Sequence, residues 1–147
     1  MSKIISIHSF RGGTGKSNTT ANVSTLIAAE GLRVGVIDTD IQSPGIHVLF
    51  GMDEDDMTHS LNDYLWGKCD IAETAHDVTA NLKANIKGQI FLIPSSIKAG
   101  EIARVLREGY DVSLLNDGFH ELIEKLDLDV LMIDTHPGLN EETLLSI

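Results

Sequence analysis

The stretch Arg11-Gly12-Gly13-Thr14-Gly15-Lys16-Ser17 decides how this chain is read, because of what stands on either side of it. Before it, Ile4, Ile5, Ile7 and Phe10 make a short apolar run of strand length. After it, Asn18 to Glu30 reads as a helix with Gly31 at the stop position. The glycines are therefore expected on a strand-to-helix turn. There the helix N-terminus offers backbone N–H groups without carbonyl partners and the positive end of its dipole, which together make an anion site. Glycine permits the positive φ values and the close backbone approach that wrapping a phosphate requires. Lys16 can reach terminal phosphates as a point charge, and the Ser17 hydroxyl is placed to ligate Mg²⁺. The stretch implies a nucleoside triphosphate site.

Working outward, apolar stretches alternate with helical patterns in the βαβ rhythm of a parallel sheet. Arg33 to Asp38 (RVGVID) is a second strand, separated from the first by a helix long enough for a parallel crossover. Gln89 to Pro94 (QIFLIP) is a third. Two helices follow, one with Ala99, Ile102, Ala103 and Leu106 on a face, the other with Leu115, Phe119, Leu122, Ile123 and Leu126. Asp129 to Asp134 (DVLMID) is a fourth strand, continuously apolar as a strand covered on both faces must be. Residues 51 to 88 are the least legible. Ser60 and Asp63 have capping-box spacing, and Leu61, Tyr64 and Leu65 supply the apolar face of a short helix.

In an open α/β sheet, ligands bind beyond the carboxyl ends of the strands. The second strand ends in Asp38-Thr39-Asp40 and the last in Asp134-Thr135-His136-Pro137-Gly138. An apolar strand delivering an aspartate is what a Walker B element requires, since the carboxylate holds Mg²⁺ beside the phosphates. Asp134 fits that role, and Gly138 has no side chain to keep its N–H from a γ-phosphate.

Composition limits the remaining choices. With 147 residues and 42% hydrophobic content, the chain can bury the core of one domain. No run reaches the roughly 18 to 20 apolar residues of a membrane span, and the first residues lack signal-peptide form. A single cysteine, Cys69, excludes an internal disulfide and any CxxC motif, and reads as a reduced thiol of a cytoplasmic protein. The formal net charge is −11, with the eleven basic residues scattered, which opposes a nucleic-acid-binding face on this segment. Asp53, Glu54, Asp55 and Asp56 read as a solvated loop rather than a cation site. The histidines His8, His47, His59, His76 and His120 lack metal-ligand spacing and default to solvated or capping roles, while His136 stands within the phosphate-facing segment after Asp134. Tyr64 and Trp66 are expected to pack.

The glycine-rich stretch departs from the common G-x-x-x-x-G-K-[ST] loop, whose first glycine would fall at Phe10. It resembles instead the deviant Walker A motif of the ParA/MinD family of ATPases, with Arg11 where that family has a lysine reaching the partner subunit's nucleotide. Asp38-x-Asp40 with Gly45 and the following His47 to Gly51 (HVLFG) resembles the family's switch I. The order Walker A, switch I, a strand ending IPSS, Walker B and switch II extends the likeness over the whole chain. The resemblance implies a P-loop NTPase fold, a three-layer α/β/α with a mostly parallel sheet. Residues 1–147 would be the N-terminal portion of one such ATPase domain, truncated at the C-terminus, with the base-recognising elements further on.

It further implies ATP and Mg²⁺ as cofactors. Nucleotide binding falls to Arg11, Gly12, Gly13, Thr14, Gly15, Lys16, Ser17, Asn18 and Gly138, and metal binding to Ser17, Asp134 and Asp40. Asp40 would lie near the attacking water, with Asp38 in support and Lys16 and Arg11 on the phosphates. The protein would be a cytoplasmic ATP-dependent homodimer that positions cargo through an activating partner protein and a cargo adaptor, recruited to nucleoid or membrane by elements outside this chain. Two other classes stay open: an ATP-dependent metabolic ligase of the dethiobiotin synthetase or cobyrinic acid amidase type, and a regulator that binds nucleotide without hydrolysing it. Iron–sulfur relatives need paired cysteines, which this segment lacks.

Overall fold

The computed structural model describes residues 2–7, 15–40, 44–82 and 85–135. Five strands form one sheet: β1 (Lys3–Ile7), β2 (Arg33–Asp38), β3 (His76–Asp77), β4 (Gln89–Ile93) and β5 (Val130–Asp134), in the spatial order β1-β5-β2-β4-β3. All neighbours are parallel except β3, which runs antiparallel to β4 at the edge. The long helices are α1 (Gly15–Ala29), α4 (Ala99–Glu108) and α5 (Val112–Leu126), with short α2 (Ile46–Leu49) and α3 (Leu61–Leu65) between β2 and β3.

Alternation along the strands divides the core into two layers of side chains. Val34, Val36, Ile90, Leu92, Val130 and Met132 pack with Ala21 and Ala28 of α1 and with Phe50. Ile37, Ile93, Leu131 and Ile133 pack with Leu115, Phe119 and Leu122 of α5 and with Leu61 and Leu65 of α3. Helices thus cover both faces, as the three-layer reading expects. This is why β5 is buried along its whole length.

The element boundaries follow local chemistry. Gly31 stops α1 with φ +104, a conformation a side chain would strain. Gly88 is needed for another reason: a Cβ there would lie 2.0 Å from the Leu32 carbonyl oxygen, where the chain enters β4 beside the end of α1. Asp111 starts α5 by accepting from the N–H groups of Ser113 and Leu114. Ser60 and Asp63 form the expected capping box at α3.

One reading needs correction, and two features go beyond what the sequence showed. Helix α1 begins at Gly15 rather than Asn18, so Lys16 and Ser17 belong to its first turn. The two-residue β3 and the four-residue α2 were not anticipated, being too short to show a hydrophobic period. Asp53 to Asp56 is exposed as expected, but closes into a turn in which Asp53 accepts from Asp55 and Asp56.

Candidate functional site

Strand register brings the site together. Asp134 ends β5, paired with Ile7 of β1 on one side and Asp38 of β2 on the other. Two aspartates on adjacent parallel strands therefore emerge side by side at the carboxyl edge of the sheet. The first turn of α1 lies against the same edge.

Its side chains converge on Asp134. Lys16 Nζ is 2.6 Å from Oδ1, and both side chains are almost wholly buried. Ser17 Oγ donates to Oδ2 at 2.8 Å. Thr20, one turn beyond Lys16, reaches Oδ1 at 3.3 Å while also donating to the Lys16 carbonyl at 3.1 Å. The strand end is held from the other side by Thr39, whose N–H and hydroxyl both donate to the Asp134 carbonyl at 2.9 Å. Thr135 Oγ1 donates to the Ile7 carbonyl at 2.6 Å, which ties the exit of β5 to the end of β1.

Asp38 is buried, and its surroundings are less favourable. Oδ1 accepts from the Asp40 N–H at 3.0 Å, and Oδ2 has no hydrogen-bond partner among the described residues. Burial pushes this carboxyl well above its usual 3.8, and the charges of Asp134 and Asp40 push the same way, against the Asp40 N–H and Lys16. Ser95, from the IPSS run after β4, donates to the Asp38 carbonyl at 2.6 Å and anchors that corner.

The donor set suits a hard divalent cation. A hydroxyl and a carboxylate 2.8 Å apart, beside a further buried carboxylate with an unpartnered oxygen, offer the oxygens that Mg²⁺ prefers. A lysine at the N-terminus of a fifteen-residue helix offers positive charge to an anion.

Among the sequence candidates, the structure brings together Lys16, Ser17, Asp38, Asp40 and Asp134, with Gly15 and Asn18 on the same first turn of α1. Arg11, Gly12, Gly13, Thr14 and Gly138 lie outside the described residues, as does His136. Sequence reasoning passed over Thr20, although its i+4 spacing from Lys16 puts both on one helix face. It also misplaced His47, which is buried rather than solvated because Ile46 and Phe50 beside it enter the core. Burial lowers its pKa, and Nδ1 finds no partner among the described residues. Tyr64 and Trp66 pack as expected: Tyr64 donates its hydroxyl to the Leu114 carbonyl at 2.8 Å, and Arg104 lies 4.1 Å from the centroid of the Trp66 ring.

A family model described as AAA domain matches residues 2–146. An ATP-binding protein of Methanocaldococcus jannaschii is 30% identical over 147 residues, which is 100% of this chain and 49% of that protein. An iron-sulfur cluster carrier protein of Pseudomonas fragi is 47% identical over a shorter stretch of 51 residues, 35% of this chain and 18% of that protein. Among solved structures, the septum site-determining protein MinD of Pyrococcus horikoshii, complexed with Mg-ADP, superposes with a TM-score of 0.75 at 25% identity, covering 98% of this chain and 53% of that one. The chain spans about half the length of the relatives it matches from end to end. Matched along almost its whole length, and folded like MinD, it belongs to the AAA-domain family of P-loop ATPases on the ParA/MinD side.

Proposed function

We propose that this chain carries the phosphate and metal groups of an ATP-binding, ATP-hydrolysing switch of the ParA/MinD type. The convergence of Lys16, Ser17 and Thr20 on Asp134 carries the reading, because it joins a helix N-terminus to a strand-end carboxylate across the sheet edge. Residues 1–147 are then the N-terminal portion of the ATPase domain. Lys16 exchanges its ion pair with Asp134 for contact with the nucleotide phosphates, and Arg11, Gly12, Gly13, Thr14, Gly15, Asn18 and Gly138 complete the cradle. Ser17, Asp134 and Asp40 would hold Mg²⁺. When bound, the ion neutralises charge developing on the transferred phosphoryl group. Asp40 orients the attacking water, a task of position rather than of strong basicity, and Asp38 supports it from the end of β2, two residues earlier.

In this reading the protein is cytoplasmic. An ATP-dependent homodimer, bridged by Arg11, couples hydrolysis to an activating partner and a cargo adaptor. A second reading is favoured by one observation, the 47% identity to an iron-sulfur cluster carrier over 51 residues. There the same ATP site would serve cluster delivery, and anaerobic reconstitution of the full-length protein with iron and sulfide, followed by its visible absorbance, separates the two.

The test of the shared premise is Lys16→Ala in the full-length protein. Calorimetric titration with Mg-ATP should show binding in the wild type and none in the variant. Equal affinity in both proteins would overturn the site.

A further inference from the structure

Away from the phosphate edge, the segment between α2 and β3 gathers a second set of donors. His59, Cys69 and Glu73 place one ligand atom each within 4.8 Å of the other two, and they are the one such trio of histidine, cysteine and acidic side chains among the described residues. His59 Nε2 is 3.8 Å from Glu73 Oε2. We propose that His59, Cys69 and Glu73 form a surface site for a thiophilic divalent transition metal of the zinc class.

The backbone at all three positions is anchored by neighbours that face inward. His59 precedes buried Ser60, which caps α3, and the His59 carbonyl is bonded at 2.9 Å to the His76 ring on β3. The Leu61 N–H donates to the Pro94 carbonyl at 2.7 Å, which fixes the start of α3 against the end of β4. Cys69 follows a turn closed by the Lys68 N–H on the Asp63 carbonyl at 2.8 Å. Glu73 lies in the helical turn Ile71–Thr74, whose first and last residues are fully buried. The side chains of His59 and Glu73 nevertheless point to solvent, and that of Cys69 is half-buried. Two exposed donors and one half-buried thiol thus stand on an anchored backbone, which favours a site.

Distances and chemistry agree with the assignment. Tetrahedral zinc, with its usual bonds to nitrogen, oxygen and sulfur, spaces its ligand atoms about 3.3 to 3.7 Å apart, so rotation of exposed side chains closes the remaining gap. One thiolate, one imidazole and one carboxylate select against Mg²⁺ and Ca²⁺, which seek oxygen alone, and leave a fourth position for water. The setting is acidic: burial first, and then the charges of Asp63, Glu73 and Asp70, push the Cys69 thiol up, and those same carboxylates attract a dication that displaces the proton. An ordinary His–Glu surface pair accounts for neither the cysteine nor the convergence.

Cobalt substitution tests this without recourse to ATP turnover. Metal-free full-length protein, kept in excess Mg²⁺ so that oxygen sites are filled, is titrated with Co²⁺. One equivalent should bring a thiolate-to-cobalt charge-transfer band and the visible bands of a tetrahedral ion, and Zn²⁺ should erase both. Cys69→Ser should lose the charge-transfer band, while His59→Ala and Glu73→Ala should weaken Co²⁺ affinity by more than the roughly tenfold that loss of an outer-shell partner costs. Circular dichroism identifies any variant that has lost its fold. Absence of the band in wild type, its persistence in Cys69→Ser, or unchanged affinity in both His59→Ala and Glu73→Ala would each overturn the site.

Discussion

Helices α1 and α5 have the same length, fifteen residues, and cover opposite faces of the same sheet, yet they bury different chemistry. Helix α5 presents Leu115, Phe119 and Leu122 to the core, with Gly118 lying flat against the Tyr64 ring. Helix α1 buries Lys16, Thr20, Ala21, Ser24 and Ala28, while Val23 and Ile27 are only partly buried against the core and Leu26, near its C-terminal end, is 67% exposed. Beyond its first turn, α1 satisfies hydroxyls within the helix: Thr20 donates to the Lys16 carbonyl besides reaching Asp134, Ser24 to that of Thr20 at 2.6 Å, and Thr25 to that of Ala21 at 2.8 Å. One helix is attached by apolar area. The other forgoes much of that area so that small residues let its first turn approach Asp134.

That contrast can be broken most forcefully at α5. Phe119→Ala should cost about 3 to 5 kcal/mol, since it leaves a cavity among fully buried neighbours. Urea unfolding of the full-length protein measures it, and a loss below about 1 kcal/mol would mean that α5 is not the apolar anchor described.

The intermediate effect lies where α1 meets the aspartates, and its sign is opposite. Asp38 has a folded-state pKa above its unfolded one, so below the usual 3.8 both states hold the proton and no cost arises. As pH rises from there through the folded value, the unfolded chain ionises first and stability falls. Asp38→Asn removes that term and should stabilise the nucleotide-free protein by about 1 to 3 kcal/mol at neutral pH. The advantage should shrink on acidification, which paired thermal melts across the pH range would display. A destabilised variant at neutral pH would show that Asp38 is better solvated than its burial indicates.

The smallest effect sharpens the account of α1. Ser24→Ala removes one bond to a carbonyl already used by the helix and should change stability by no more than about 1 kcal/mol in the same urea assay. A loss on the scale of Phe119→Ala would make the α1 hydroxyls structural anchors in their own right.

The same contrast explains what was legible beforehand. Strand β2 is legible to the residue, and α5 within a few positions, because a short apolar run between turn residues and a clean helical stripe are strong signals. Asp134 was legible as an acid ending an apolar strand. Thr20 was not, because a threonine inside a helix looks like an exposed polar residue until the partner strand, 114 positions away, is in place. The edge strand β3 was equally hidden. His76 and Asp77 have no strand propensity to show, and they pair with Leu92 and Phe91 only because β4 has a free edge there.

The strand order also sets a timetable. β1 is made first, and its partner in the sheet is β5, the last of the five strands to leave a ribosome. β2, β4 and β3 can pair while synthesis continues, but β1 and one side of β2 wait as unpaired apolar edges until Val130 to Asp134 arrives. Through that interval the nascent chain is open to the edge-to-edge association that chaperones suppress. When β5 slots in, it closes the gap and delivers the carboxylate that Lys16 and Ser17 meet in the same movement. The joining of β1 to β2 and the assembly of that charge cluster therefore depend on the same strand, and a nascent chain that stalls before it carries neither.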